Sequence, residues 1–210
     1  MHGSYDAAFR AELLDLMRWR RDVRRFRRDP VEAAVLDRCL DVFSLAPSVG
    51  LSEPWRVVRV QSDAARSACL LNFQTANAAA LAGQNGNRAR LYAGLKLSGM
   101  AEAPVHLAVF CDDATAKGAG LGVATIPDMR AHSVSAAISL FWLALRAEGL
   151  GMGWVSILDP AAVLRDLAVP ADWRLIGYLC VGWPEIETTV PELELAGWET
   201  RAPALWMECR

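Results

Sequence analysis

From Arg18 to Arg28 the sequence reads Arg-Trp-Arg-Arg-Asp-Val-Arg-Arg-Phe-Arg-Arg, with seven arginines and a single acidic residue, Asp22. Guanidinium groups suit phosphate because each presents several donors in one plane. The tract therefore predicts either an anion site in which Arg20, Arg21 and Arg24 converge or, equally well from spacing alone, a solvated basic surface. A carboxylate inside a phosphate site repels the anion. Asp22 thus either neutralises neighbouring arginines or has a chemical role.

Regular secondary structure is predicted on both sides of this tract. Residues 1–17 form an N-terminal helical segment, because apolar side chains recur at helical spacing from Asp6 to Arg18. After the tract, Asp29 and Pro30 are typical of the cap and first turn of a second helix. Periodicity then predicts helices at 63–82 and 133–148, and strands at 55–61, 104–111, 154–158 and 175–181, the last in the centre of a sheet.

Length, charge and cysteine usage favour a single-domain protein that neither binds nucleic acid nor spans a membrane. The chain has 210 residues, 53% of them hydrophobic, and a formal net charge of −2. The length predicts a single domain over residues 1–210, and the charge balance argues against nucleic acid as a partner. No stretch is apolar enough to span a bilayer and no signal peptide opens the chain, so a cytoplasmic location is expected. The five cysteines and three histidines lack metal-ligand spacing, which predicts buried thiols and no metal site.

Two glycine clusters need separate interpretation. Gly118-Ala-Gly-Leu-Gly122 is similar to a dinucleotide-binding fingerprint, but polar residues precede it where a strand is required. The segment 112–127 is therefore predicted to be irregular. Gly149-Leu-Gly-Met-Gly153 follows a helix, and is interpreted as a helix-to-strand turn.

Together, these motifs resemble the nitroreductase-like flavoprotein family from about residue 18 to residue 201. Arg20-Arg-Asp-Val-Arg-x-Phe26 and Ala46-Pro-Ser-Val-Gly-Leu-Ser-x-Pro-Trp-Arg56 resemble its flavin-binding half. Asp22 and Gly151-x-Gly-Trp-Val-Ser-Ile-Leu158 narrow the resemblance to the 5,6-dimethylbenzimidazole synthase branch. The segments 103–112 and 117–122 support it.

The resemblance implies an α+β, nitroreductase-like fold with a mostly antiparallel central sheet flanked by helices. It also implies an interlocked homodimer with FMN at the subunit interface. In that fold residues 112–127 are expected to form a lid, and residues 191–210 a C-terminal extension that reaches the partner subunit.

The implied reaction is an O2-dependent fragmentation of reduced FMN, which is the substrate. Its products are 5,6-dimethylbenzimidazole, the lower ligand of vitamin B12, and erythrose 4-phosphate. A separate flavin reductase would supply the reduced FMN for this step of cobalamin biosynthesis, and no metal, nucleic acid or membrane is involved.

The resemblance also assigns residues. Asp22 is expected to act as general base or proton shuttle at the ribityl chain, and Ser156 to lie at flavin N5 and steer oxygen addition. The flavin-binding residues carried over are Arg20, Arg21, Asp22, Val23, Arg24, Ser48, Gly50, Leu97, Ser156 and Arg201.

One departure and two alternatives accompany this hypothesis. Glu53 stands where the family usually has Gln, and adds a negative charge if it points into the site. A NAD(P)H-dependent nitroreductase or flavin reductase would use the same scaffold, since fold alone does not determine chemistry. A non-enzymatic protein with a basic patch at Arg18 to Arg28 is the third possibility, and predicts steeply salt-dependent affinity for nucleic acid.

Overall fold

The computed structural model describes residues 4–210, which contain seven α-helices and four β-strands. Two 3-10 turns, Asp41–Leu45 and Val49–Leu51, lie between the second helix and the first strand. In chain order the elements are α1 (Ala7–Trp19), α2 (Ala33–Leu40), β1 (Trp55–Arg59), α3 (Asp63–Ala82), α4 (Gly86–Gly94), β2 (Val105–Asp112), α5 (Met129–Ala147), β3 (Gly151–Val155), α6 (Pro160–Asp166), β4 (Trp173–Gly182) and α7 (Glu192–Leu195).

The four strands form one antiparallel sheet in the order β1-β2-β4-β3. The central strands β2 and β4 are buried over most of their length, as expected for near-continuous apolar runs. The α+β fold class and the central position of the 175–181 strand are thereby confirmed. The predicted bounds of the third strand were wrong, because β3 spans Gly151–Val155 rather than 154–158.

Helices cover both faces of the sheet and define two apolar layers. The first layer contains α5 and α2, and five α5 side chains in it are fully buried: Val134, Ala137, Ile138, Phe141 and Leu145. The second contains α3, α6 and the fully buried aromatic residues Phe110 and Tyr178. Each such side chain stabilises the fold by roughly 1.5–3 kcal/mol. Among the residues described, no helix combines the length and hydropathy needed to cross a membrane.

The arginine-rich tract leaves α1 after Trp19 and, from Arg20 onward, is extended and runs beside the edge strand β3. The Val23 backbone N–H donates to the Met152 carbonyl at 3.0 Å, and the Arg27 N–H donates to the Trp183 carbonyl at 2.9 Å. Phe26 anchors the tract in the second apolar layer with 1% of its surface exposed. This arrangement covers a sheet edge that would otherwise present unpaired backbone groups.

The second helix starts later than predicted. Asp29 forms an ion pair with Arg27 at 3.3 Å, and the Pro30 carbonyl accepts a hydrogen bond from Trp183 Nε1 at 3.2 Å. The first contact engages the Asp29 side chain and the second holds Pro30 against the segment after β4, and α2 begins only at Ala33. Tertiary contacts therefore override the local capping signal.

A buried polar pair joins the two central strands. His106 is 2% exposed; its Nδ1 lies 2.9 Å from the Tyr178 hydroxyl and its Nε2 lies 3.0 Å from the Ala103 carbonyl oxygen. A carbonyl only accepts, so neutral His106 carries its proton on Nε2 and accepts at Nδ1 from Tyr178. Burial, and secondarily the nearby Arg66, lowers the pKa of His106 to about 4.

This lowered pKa predicts a loss of stability in mild acid. Below about pH 6.5 the unfolded chain protonates His106 while the folded chain does not, so the free energy of unfolding falls as the pH drops towards 4. The fall due to this group amounts to about 3 kcal/mol. In urea unfolding from pH 7.5 to 4, His106→Gln should weaken the pH dependence, whereas the exposed His132→Gln should leave it unchanged. Equal slopes in all three chains would contradict the assignment.

Candidate active site

Both oxygens of the Asp22 carboxylate accept hydrogen bonds. Oδ1 accepts from the Trp154 backbone N–H at 2.9 Å, and Oδ2 accepts from Arg24 Nε at 2.8 Å. A parallel bridge between Asp22 and Met152 brings the carboxylate to the outer edge of β3. One third of the side chain remains exposed, so the carboxylate is held in place and still reaches solvent.

Two glycines of β3 make this close approach possible. A Cβ atom on Gly153 would lie 2.3 Å from the Val23 carbonyl oxygen, and one on Gly151 would lie 2.7 Å from Val23 Cγ2. Any side chain here would push the tract away from the strand. The interpretation of the whole 149–153 cluster as a turn was therefore wrong, since only Gly149, with φ of +81°, ends α5 there.

A positive cluster near Asp22 consists of three arginines: Arg20, Arg21 and Arg201. Burial and then the charge of Arg201 lower the pKa of both Arg20 and Arg21, so the C-terminal segment lies close to the tract. The Arg20 guanidinium lies 4.4 Å from the centre of the Trp142 ring. Within residues 4–210 none of the three arginines forms an ion pair, which leaves their charges available to an anion.

Ser156 lies at the same edge of the sheet as Asp22. It follows β3 directly, two residues beyond Trp154, and is exposed. Two extended residues span at most about 7 Å between Cα atoms, so Ser156 is close to the Asp22 anchor point. Leu97 also belongs to this region, because Arg24 Nη1 donates to the adjacent Lys96 carbonyl at 3.1 Å.

Ser48 and Gly50 lie elsewhere in the chain. Their turn precedes β1, at the sheet edge opposite β3, and three strand spacings amount to about 14 Å. The Val49 N–H donates to Ser133 Oγ, whereas Arg20 contacts Trp142 about 14 Å further along α5. Within one chain, Ser48 and Gly50 are therefore far from the flavin-binding residues that the family resemblance assigns near Asp22.

The glycine-rich 112–127 segment packs on the Ser48–Gly50 turn. A Cβ atom on Gly118 would lie 2.6 Å from the Gly50 carbonyl oxygen, and Gly50 itself has φ of +58°. Lys117 forms an ion pair with Glu53. The negative charge of Glu53, which departs from the family pattern, is thus balanced by Lys117 of the glycine-rich segment.

Sequence reasoning missed Lys96, Trp142 and the backbone role of Trp154. Trp154 stands inside the Gly-Trp-Val-Ser motif, but its contact with Asp22 uses the main-chain N–H, which no side-chain pattern encodes. The contact between Trp142 and Arg20 has no local signal either, because the two lie far apart along the chain.

Metal and thiol chemistry find no support in the described part of the chain. It contains no group of three or more His, Cys, Asp or Glu side chains placed to hold a metal ion. Four of the five cysteines are buried, and burial raises the pKa of Cys69 to about 11 and of Cys111 to about 12. Such thiols stay protonated at neutral pH and are poor nucleophiles.

Comparison with known proteins gives consistent matches over nearly the whole chain. The nitroreductase family model matches residues 17–183. A 5,6-dimethylbenzimidazole synthase of Rhodospirillum rubrum is 53% identical over 95% of this chain and 94% of its own length. One from Rhodobacter capsulatus is 47% identical over 97% of this chain and 98% of its own. An iodotyrosine deiodinase crystallised with FMN and 3-iodo-L-tyrosine superposes with a TM-score of 0.71, at 23% identity, covering 94% of this chain and 97% of that one.

Proposed function

The chain belongs to the nitroreductase family, in the branch that includes the 5,6-dimethylbenzimidazole synthases, and we propose that it catalyses their reaction. In this proposal reduced FMN and O2 are the substrates, and 5,6-dimethylbenzimidazole and erythrose 4-phosphate are the products. The single observation that carries the proposal is the fixed Asp22 carboxylate beside a cluster of arginines that form no ion pair among residues 4–210.

The residues present fit FMN. The cluster of Arg20, Arg21 and Arg201 suits a phosphate dianion, since three guanidinium groups provide many donors and their mutual repulsion exceeds the attraction of the nearby Asp22 and Glu194 carboxylates. Leu97 lies beside the site, because the tract meets residues 96–99 at the contact between Arg24 and the Lys96 carbonyl. The Val23 N–H is already bonded to the Met152 carbonyl, so Val23 would contact the flavin with its other atoms. The arginine cluster would therefore hold the phosphate end, and Asp22 and Ser156, at the edge of β3, would serve the ribityl chain and the ring.

Asp22 supplies the proton chemistry in this proposal. When bound, reduced FMN donates the electrons that O2 accepts, and its own ring and ribityl C1′ become the product. Asp22 removes a proton from a ribityl carbon, because it is an acceptor held at the outer edge of β3. The exposed Ser156 hydroxyl lies on the same edge and orients the oxygen reaction at N5.

We propose that each flavin site is completed by Ser48 and Gly50 from a second copy of this chain. Within one chain this turn and Asp22 lie at opposite sheet edges, so both line one flavin only when two chains pair. The α1 helix carries an exposed apolar stripe that a partner subunit would cover: Phe9, Leu13, Leu14 and Met17. Sedimentation should therefore show a homodimer, and a monomer with full product formation would refute this arrangement.

The proposal includes a cytoplasmic location and a separate flavin reductase. Five free cysteines suit a reducing compartment. Because FMN is consumed, each turnover requires a new molecule of reduced FMN from another enzyme.

An aerobic assay tests the proposed function. The protein is mixed with chemically reduced FMN in air, and the products are identified by mass. Formation of 5,6-dimethylbenzimidazole supports the proposal, and quantitative recovery of intact FMN refutes it. Steady NAD(P)H consumption with a nitroaromatic compound would instead favour a nitroreductase on the same scaffold.

The arginine cluster makes a prediction of its own. Arg201→Ala should raise the dissociation constant for FMN about tenfold or more, because one charge-assisted contact to the phosphate is lost. Riboflavin lacks the phosphate, so its affinity should stay unchanged, as should FMN affinity in the control Arg210→Ala, whose arginine pairs with Glu208. Quenching of flavin fluorescence measures both constants. Equal weakening for FMN and riboflavin would contradict a phosphate contact.

A further inference from the structure

We propose that Arg24 is a positioning residue that holds the Asp22 carboxylate in its reactive orientation. The inference rests on the proposed function, and it gives Arg24 a role other than gripping the FMN phosphate. It concerns what the guanidinium group does inside the protein.

Arg24 differs from its neighbours in the tract because it is committed to protein partners. Its side chain is only 12% exposed, its Nε bonds Asp22 Oδ2 at 2.8 Å, and its Nη1 bonds the Lys96 carbonyl at 3.1 Å. Arg25 is 47% exposed and reaches Glu192 only at 3.6 Å. The planar guanidinium fork of Arg24 therefore connects the carboxylate to a second segment of the chain.

That second segment is itself held firmly. Lys96 Nζ pairs with Glu102 Oε1 at 2.6 Å, and Met100 is 5% exposed. A Cβ atom on Gly99 would lie 2.3 Å from Phe26 Cε2, so the segment packs directly on the buried anchor of the tract. Arg24 thus bonds Asp22 from a fixed point.

The two partners of Asp22 together define its orientation. The Trp154 N–H holds one oxygen from the strand, and Arg24 holds the other from the side. With only the Trp154 contact, the carboxylate is free to rotate, and displacement of a reacting group by about 1 Å costs on the order of a hundredfold in rate. Arg24 therefore acts on catalysis through Asp22.

The test compares Arg24→Gln with the matched control Arg25→Gln. Glutamine keeps a polar side chain but removes the charge and the fork. In Arg24→Gln we expect kcat for product formation to fall at least tenfold, with the KM for reduced FMN and the dissociation constant for oxidised FMN changed less than threefold. In Arg25→Gln all three should match the unaltered chain.

A second measurement does not depend on turnover. The Trp154 amide faces outward from the edge strand, and its hydrogen-bond acceptor is Asp22. We expect hydrogen exchange at this amide to become at least tenfold faster in Arg24→Gln and to stay unchanged in Arg25→Gln. This result would support the positioning role even if the unaltered chain made no 5,6-dimethylbenzimidazole, an outcome that refutes only the proposed function.

Other outcomes would overturn the inference. A loss of FMN affinity above tenfold with unchanged kcat would make Arg24 a flavin ligand only. If Arg24→Gln changed neither kcat nor hydrogen exchange at the Trp154 amide, Arg24 would not be needed to position Asp22. If Arg24→Gln does not fold, Arg24→Lys decides: at least a threefold loss of kcat supports positioning by the fork, and full activity refutes it.

Discussion

The Asp22→Asn variant should bind FMN and produce at least a hundredfold less 5,6-dimethylbenzimidazole than the unaltered chain. Asparagine has nearly the same shape, and its carbonyl oxygen still accepts from the Trp154 N–H. It has no carboxylate to take a proton, and a positioned general base contributes about 10²–10⁴ in rate. The chemistry should therefore be lost while the binding site remains.

Product yield by mass and FMN affinity by fluorescence measure the two effects separately. Asp29→Asn is the matched control, because Asp29 lies in the same part of the chain but is 60% exposed and pairs with Arg27. It should retain full yield. If Asp22→Asn made product normally, or lost product only in proportion to lost FMN binding, Asp22 would not be the base.

The Gly153→Ala variant should lose about 3 kcal/mol of stability or more, together with most of its activity. The added methyl group would lie 2.3 Å from the backbone carbonyl oxygen of Val23. No change of rotamer relieves a clash with the backbone. The tract must then move away from β3, and Asp22 moves with it. Both the free energy of unfolding and product formation therefore depend on the absence of a Cβ atom at Gly153.

Chemical denaturation and the aerobic assay test this prediction together. Gly94→Ala is the control, because a Cβ atom there would meet nothing within 4 Å and the residue ends α4 at an ordinary helical position. It should be neutral or slightly stabilising, as alanine favours helices over glycine. A Gly153→Ala protein as stable and active as the Gly94→Ala control would show that the tract tolerates displacement.

Much of the secondary structure could be predicted because periodicity is local. Residues 63–82 were predicted helical and α3 has those bounds. The failures occurred where a distant segment competes with a local signal. Trp183 holds Pro30 outside α2, and pairing with β4 makes Gly151 and Gly153 part of a strand rather than a turn.

Candidate residues were found because their chemistry is unusual for their surroundings. Asp22 among seven arginines and Ser156 in an apolar strand motif were visible in the sequence, and the structure places both at the outer edge of β3. Sequence reasoning carried over Arg24 as a flavin ligand, whereas its visible partners are Asp22 and the Lys96 carbonyl. Spacing alone could not distinguish these roles, because it does not show which atoms a guanidinium meets.

By itself the sequence determined most of the long helices and strands and the types of reactive group, because these depend on the order of residues within a few turns or strands. Only the tertiary structure decided which of those groups meet. It brings Arg201 to Arg20 and Arg21, seats Asp22 on the Trp154 N–H, and leaves Ser48 and Gly50 at the opposite edge of the sheet. The physical reason is that such encounters depend on close packing between segments far apart in the chain, where a glycine without a Cβ atom permits an approach that no local pattern reveals.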